Sequence, residues 1–455
     1  MAKSQTSHET QDQLHTFLHA LDSGAFDEIR RMLRGMSPAE IAKLIESSPL
    51  RARNLLWQLI DKEDEGEVLQ YVNEELAAYF LRHRNTEDIL SLVEGFDADD
   101  FADLLQELPH AVMRQVLDSL DDQNRYRIET ILAYPEDTAG GLMDTDIITI
   151  RPDISLDVVL RYLRRHESLP DTTDNLHVVN RTGQFVGILP LTKLLIKDPG
   201  MSVREAMNSA KAIPATTSAR DVAQMFERED LVTAPVVDDN GVLLGRITID
   251  DVVDVILEGA DHSLMSMAGM DEDEDTFAPV WKTTRRRAVW LGINLLTAFT
   301  ASAVIGLFED TIAQVVALAV LMPIVASMGG IAGSQTLTLV IRAMALGQVQ
   351  AGNTRYLLTK ELSVGAFNGI LWALVIGATA ALWFDDPSLG VIIGCAMILN
   401  LVVAAGAGAL IPMVMKRMGI DPALAGSVVL TTVTDIVGFM AFLGLATLLY
   451  ANLVV

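Results

Sequence analysis

Residues 288–308 read AVWLGINLLTAFTASAVIGLF, 21 consecutive positions without a charge. An apolar helix of about 20 residues is what a bilayer core requires. Arg285, Arg286 and Arg287 precede the stretch, and Glu309 and Asp310 follow it. Further uncharged runs cover 311–341, 362–384 and 387–415, and residues 422–455 hold a single charge, Asp435. Five spans are expected. Lys and Arg are retained on the cytoplasmic side of a membrane. Lys282 and the three arginines stand before span one, Arg342, Arg355 and Lys360 between spans two and three, and Lys416 and Arg417 between four and five. The other two connections carry only Glu309, Asp310, Asp385 and Asp386. All nine basic residues therefore agree on a cytosolic N-terminal half and an external C-terminus.

Outside this half the composition changes. The 455 residues are 50% apolar with mean hydropathy +0.31, but residues 1–281 carry 25 basic against 53 acidic residues, a net of −28, while residues 282–455 carry 9 against 7. An acidic surface excludes nucleic-acid binding by phosphate neutralisation. One cysteine, Cys395, excludes a disulfide scaffold. The opening MAKSQTSHETQDQLH has no apolar core of signal-peptide length, so the acidic half is expected in the cytosol.

Two features of the apolar half invite chemistry. The second run contains Pro323 and the string SMGGIAGSQ, Ser327 to Gln335. Small residues of this kind serve close helix packing first, and broken backbone beside a cavity second. Asp435 is a carboxylate amid apolar residues with no Lys, Arg or His in any apolar run to pair with it. Such groups usually face an ion or water path. Carboxylate oxygens are hard ligands suited to Mg²⁺ or Ca²⁺, and the thiol and imidazole sets favoured by softer metals are lacking, since Cys395 is alone and no His occurs after His262.

The acidic half contains two kinds of repeat. Residues 26–61 align without gaps on 86–121, with Ile41, Leu44 and Ile45 matching Phe101, Leu104 and Leu105 at helical spacing. This reads as an α-helical repeat superhelix. Residues 143–159 then align on 207–223, and VVNRTGQFVGILPLTKLL (178–195) aligns on VVDDNGVLLGRITIDDVV (236–253). Each copy reads strand, helix, strand, glycine turn at Gly183 or Gly241, strand, helix. The pattern resembles a tandem pair of α/β CBS domains, regulatory modules that often bind adenosine nucleotides between copies. The resemblance implies a ribose site at Thr248 and Asp251 of the second copy; the first copy has Pro190 and Lys193 there. The same T-x-x-D spacing equally describes a helix N-cap.

Helical repeats, a CBS pair and five spans in this order resemble the MgtE family of magnesium channels over nearly the whole chain. PEDTAGGLM (135–143) resembles that family's junction between N domain and first CBS domain, and DPALAGSVVLTTVTDIVGF (421–439) its last pore helix. The resemblance implies a multidomain α-helical membrane protein: a helical-repeat N domain (1–135), CBS domains at 136–200 and 201–261, a connecting plug-like helix (262–285) and a pore domain (286–455). It implies a homodimer in the inner membrane, Mg²⁺ as ion, Asp435 and Asp421 as pore ligands, and closure when cytosolic Mg²⁺ bridges acidic residues. Asp230, Asp251 and Asp254 match sensor positions, and Asp99, Asp100 and Asp103 lie in the N-domain stretch where further ligands are expected. ATP or another adenosine nucleotide is the implied second ligand. The acidic cluster 271–275 either adds Mg²⁺ ligands or keeps its segment soluble. Ile331 and Ser427 replace asparagines common in the family, so Co²⁺ permeation joins Mg²⁺ as an expectation. Gly259, His262 and Ser263 stand where acidic residues are common, which implies weaker closure.

Two other readings compete. A secondary transporter exchanging the ion for H⁺ or Na⁺ would use Asp435 as carrier site and needs a second charged partner in the spans; the apolar runs contain none. A nucleotide-sensing scaffold without transport would leave Asp435 unexplained. No nucleophile or metal triad points to an enzyme.

Overall fold

The computed structural model describes residue 17 and residues 25–451, apart from 83, 94, 95, 167, 171, 271–275, 350 and 351. The acidic stretch 271–275 thus lies outside the described residues. The chain forms two compact units, Met1–Ala260 with Asp275–Ala278, and Asp261–Glu274 with Pro279–Val455.

The first unit opens with short helices from Phe26–Leu33 to Asp122–Leu132. The aligned repeats hold equivalent nine-residue helices, Pro38–Glu46 and Ala98–Gln106. Their matched apolar triplets, Ile41, Leu44, Ile45 and Phe101, Leu104, Leu105, all enter one core. Capping decides where these helices start. Ser37 and Glu40 exchange hydrogen bonds in a capping box ahead of Pro38, and Asn73, Asn85 and Asp121 accept from backbone N–H groups of the helices they precede. Each cap satisfies donors that a helix start leaves open.

Two three-stranded sheets follow. β1 (Thr149–Ile150) pairs parallel with β2 (Asn175–Val179), which pairs antiparallel with β3 (Phe185–Pro190). β4 (Ile213–Pro214), β5 (Thr233–Val237) and β6 (Leu243–Thr248) repeat the arrangement, down to the register shift at Val178/Val179 and Val236/Val237. Gly183 and Gly241 hold φ of +82° and +76°, which a side chain resists. The two turns also bond each other reciprocally: Phe185 N donates to Gly241 O at 2.9 Å and Leu243 N to Gly183 O at 3.1 Å.

The last CBS helix runs without interruption from Ile249 to Met267. The expected connecting segment 262–285 spans the end of this helix and the start of the next, Val280–Gly306. Gly269 at φ +69° stops the first helix, with Met270 N donating to Met265 O and Gly269 N to Ser266 O, the paired bonds of a Schellman ending.

The second unit carries five helices long and apolar enough to cross a membrane: Val280–Gly306, Ala317–Ala345, Thr354–Phe384, Pro387–Arg417 and Pro422–Tyr450. The fourth is central, with 61% of its most apolar window buried against 6% for the first. The small-residue string packs as the favoured reading holds. Gly329 and Gly333 are buried, and a Cβ on them would collide with Asn400 and Leu430.

Candidate cation sites

In the first unit, Asp97 precedes the helix Ala98–Gln106, which supplies Asp99, Asp100 and Asp103. The helix Ile249–Met267 supplies Asp250, Asp251 and Asp254. Between them comes Asp144, one residue past the PEDTAGGLM junction. Its backbone makes an antiparallel bridge to Arg246 of β6, N to O at 2.8 Å and O to N at 2.9 Å. Gly245 permits this approach, since a Cβ there would stand 2.6 Å from Asp144 O.

These carboxylates crowd one another. Asp99 is 5% exposed, and its Oδ1 has no hydrogen-bond partner among the described residues. Burial, then the charges of Asp251, Asp100 and Asp144, push its carboxyl well above the usual range. Asp100 keeps solvent contact at its surface, yet surrounding protein, followed by Asp97, Asp254, Asp250 and Asp144, raises it to about 6. Burial also leads at Asp144, lifting it to about 6 against the opposing bond from Asp146 N and the charge of Arg246. Asp251 and the exposed Asp254 move upward too, both led by desolvation with Asp250 adding repulsion.

The expected sensor residues are thus only partly gathered. Asp99, Asp100, Asp251 and Asp254 join through mutual repulsion. Asp103 is half-buried and accepts from Gln106 Nε2 at 3.3 Å. Asp230 is the exposed, left-handed residue that ends the helix Ala219–Glu229. Among the described residues no three acidic, histidine or cysteine side chains stand at coordinating separations. The cluster is a crowd of hard oxygen donors rather than a finished cage; the donor type fits Mg²⁺. Asp97, Asp144 and Asp250 were not singled out from sequence; Asp144 adjoins the junction motif, the one signal that pointed to it.

Thr248 and Asp251 behave as the capping alternative describes. Thr248 N and Oγ1 both donate to Asp251 Oδ2, at 3.0 and 2.7 Å, over the first turn of the last CBS helix.

In the second unit, Asp435 is half-buried on the fifth span. Asp421 caps that span, its Oδ1 accepting from Ala423 N at 2.8 Å, and its Oδ2 lies 2.5 Å from His262 Nε2. Ile331 is exposed on the second span. Ser427 helps line a hollow with Met267, Gly269, Trp290, Asn294 and Thr431. Gly259 is exposed and Ser263 half-buried. Two buried polar groups escaped the sequence reading. Asn400 donates through Nδ2 to Val325 O at 2.9 Å. Glu361 accepts from Thr336 Oγ1 of the second span at 3.3 Å and lies 3.0 Å from Lys360 Nζ. The third helix starts at Thr354, before its apolar run, and so includes Glu361 near its start.

Comparison with known proteins gives a consistent result. A family model described as a divalent cation transporter matches residues 322–445, an MgtE intracellular N domain model matches 36–137, and a CBS domain model matches 139–200 and 203–258. The chain is 30% identical to a magnesium transporter MgtE of Thermus thermophilus over 94% of this chain and 97% of that one. It is 26% identical to one of Bacillus subtilis over 94% and 95%. Among solved structures, the cytosolic domain of the Mg²⁺ channel MgtE in complex with ATP is similar at 30% identity and TM-score 0.48, covering 53% of this chain and 99% of that one.

Proposed function

The chain belongs to the MgtE family of divalent cation transporters, and from that premise we propose that it is a homodimeric Mg²⁺ channel, also open to Co²⁺, of the cell inner membrane. In this reading Asp435 and Asp421 line the ion path, the C-terminus is external, and Mg²⁺ on the cytosolic unit closes the pore.

The observation that carries the reading is the crowd around Asp99. A buried carboxylate oxygen without a partner, beside several more carboxylates, holds repulsion that a divalent cation relieves. A state with the ion bound is then favoured over one that separates the acidic faces, and the balance moves with free Mg²⁺. The helix Ile249–Met267 bears Asp250, Asp251 and Asp254 near its start and His262 further along, so it links the acidic crowd to the residue that holds Asp421. An adenosine nucleotide at the second CBS copy has to compete with the bond between Thr248 and Asp251.

Glu361 gives the carrier reading a specific footing, since a proton-coupled exchanger needs a second carboxylate. Mg²⁺ uptake into proteoliposomes separates the two. A channel loses uptake in Asp435→Ala and ignores a collapsed pH gradient; an exchanger stops when the gradient collapses and is disabled by Glu361→Gln.

A further inference from the structure

Resting on the reading of Asp435 as a pore ligand, we propose that the hollow at the end of the helix Ile249–Met267 is a resting site for a hydrated divalent cation on the cytosolic side of Asp435, and that Asn294 of the first span sets its ion preference. The hollow has a volume of about 110 Å³ and lies wholly within the second unit. Met267 and Gly269 border it from the helix end, Trp290 and Asn294 from the first span, and Ser427 and Thr431 from the fifth. Such a volume has room for several waters, and Mg²⁺ gives up its own waters reluctantly. An ion therefore enters this space with most of its shell in place.

Among the described residues no charged side chain lines the hollow, and the polar groups that do line it are oxygen acceptors. Thr431 Oγ1 gives its proton to Ser427 O at 2.9 Å, which leaves its lone pairs to accept from bound water. Asn294 Nδ2 donates to Trp290 O at 3.0 Å, which leaves its Oδ1 as an acceptor in the same way. Asn294 stands seven residues past Arg287, about 10 Å into the apolar run at a helix's rise of roughly 1.5 Å per residue. An amide at that depth is costly unless it meets something polar. Gly269, at φ +69°, packs on the Trp290 ring, since a Cβ there would stand 3.4 Å from it. The C-terminal end of the helix, the negative pole of its dipole, is thereby held at the hollow, where it favours a cation. Thr431 lies four residues before Asp435, so both belong to one face of the fifth span. Neutral oxygens hold a hydrated ion weakly enough for it to move on, which conduction requires.

Flux of Mg²⁺ and of Ca²⁺ into proteoliposomes holding the full-length protein, measured over a concentration series beside Asp435→Ala, tests this. Asn294→Leu keeps the volume and removes the oxygen; it is expected to raise the half-saturating Mg²⁺ severalfold and to bring the Mg²⁺ and Ca²⁺ fluxes closer together. Asn294→Asp places a negative charge beside the ion and should lower the half-saturating Mg²⁺ on the order of tenfold. A packing role would move both variants in the same direction. Thr431→Val, which removes the second acceptor at nearly constant shape, should follow Asn294→Leu. Should Asn294→Leu fail to fold by circular dichroism, Asn294→Asp and Thr431→Val decide. Unchanged half-saturation and an unchanged Mg²⁺-to-Ca²⁺ ratio in folded Asn294→Leu, or Leu and Asp variants that shift the same way, overturn the inference and leave the reading of Asp435 intact. Equal flux in the wild type and Asp435→Ala overturns both.

Discussion

At the scale of single residues, protons and Mg²⁺ compete for the same carboxylates. Asp99, Asp100, Asp144 and Asp251 all titrate above their unfolded range, with Asp100 and Asp144 near 6. A carboxylate raised in the folded state favours folding below its unfolded pKa, and that contribution is lost as pH rises through the folded value. The Mg²⁺-free protein should therefore lose thermal stability between about pH 4 and pH 7. Mg²⁺ binding should move oppositely, weaker on the order of tenfold at about pH 5.5 than at about pH 7.5; melting curves at low and high Mg²⁺ check both signs. Asp99→Asn removes the most buried charge of the group and should stabilise the Mg²⁺-free protein by about 1–2 kcal/mol, the scale of relieving an unsatisfied buried group. Its melting temperature should also respond less to added Mg²⁺. Which residues would gather was legible in part. Asp251 and Asp254 were expected from family positions, and Asp99 and Asp100 from the N-domain stretch they lie in, whereas Asp144 was not, because its place depends on a backbone bridge to Arg246, 102 residues away. Pairings of such separation leave no local pattern. His262 shows the same limit, since only the fold reveals its contact with Asp421.

At the scale of elements, periodicity was a good guide, while where each helix starts and stops was less legible. Ile41, Leu44 and Ile45, with their matches in the second repeat, are buried as helical spacing requires, and the two CBS copies share one strand order and one glycine turn. Hydropathy found the five spans but ended the third run at its last charge, whereas helix propensity carries the backbone back to Thr354 and brings Glu361 with it. The run of the last CBS helix was hidden for a related reason: nothing polar between 249 and 267 breaks a helix, and the stop comes only at Gly269. The continuity of that helix makes a prediction. Leu257 is 58% exposed within it, so Leu257→Pro removes no core contact but costs about 3 kcal/mol of helix. Calorimetry should still detect Mg²⁺ binding in this variant, while proteoliposome flux should no longer fall when Mg²⁺ is added on the cytosolic side. Flux that still falls normally would show that the helix does not transmit closure.

For the whole molecule, an acidic first unit and five apolar helices are two solutions to different solvents joined in one chain. Composition separated them, since the net charge of −28 lies before Trp281 and little charge follows. That division is also why the chain suits a device that reads cations in water and passes them through lipid. The five helices of 27 to 31 residues exceed a bilayer's minimum. Asp435 lies midway along the last of them and has no cationic neighbour in sequence on that span. The most direct measurement of the central claim is Mg²⁺ current through the purified wild-type protein in a planar bilayer while Mg²⁺ is raised on the cytosolic side alone. The account predicts a Mg²⁺ current that is present at low cytosolic Mg²⁺, falls steeply as that Mg²⁺ rises, and is absent in Asp435→Ala. A current that persists unchanged at high cytosolic Mg²⁺ would contradict it.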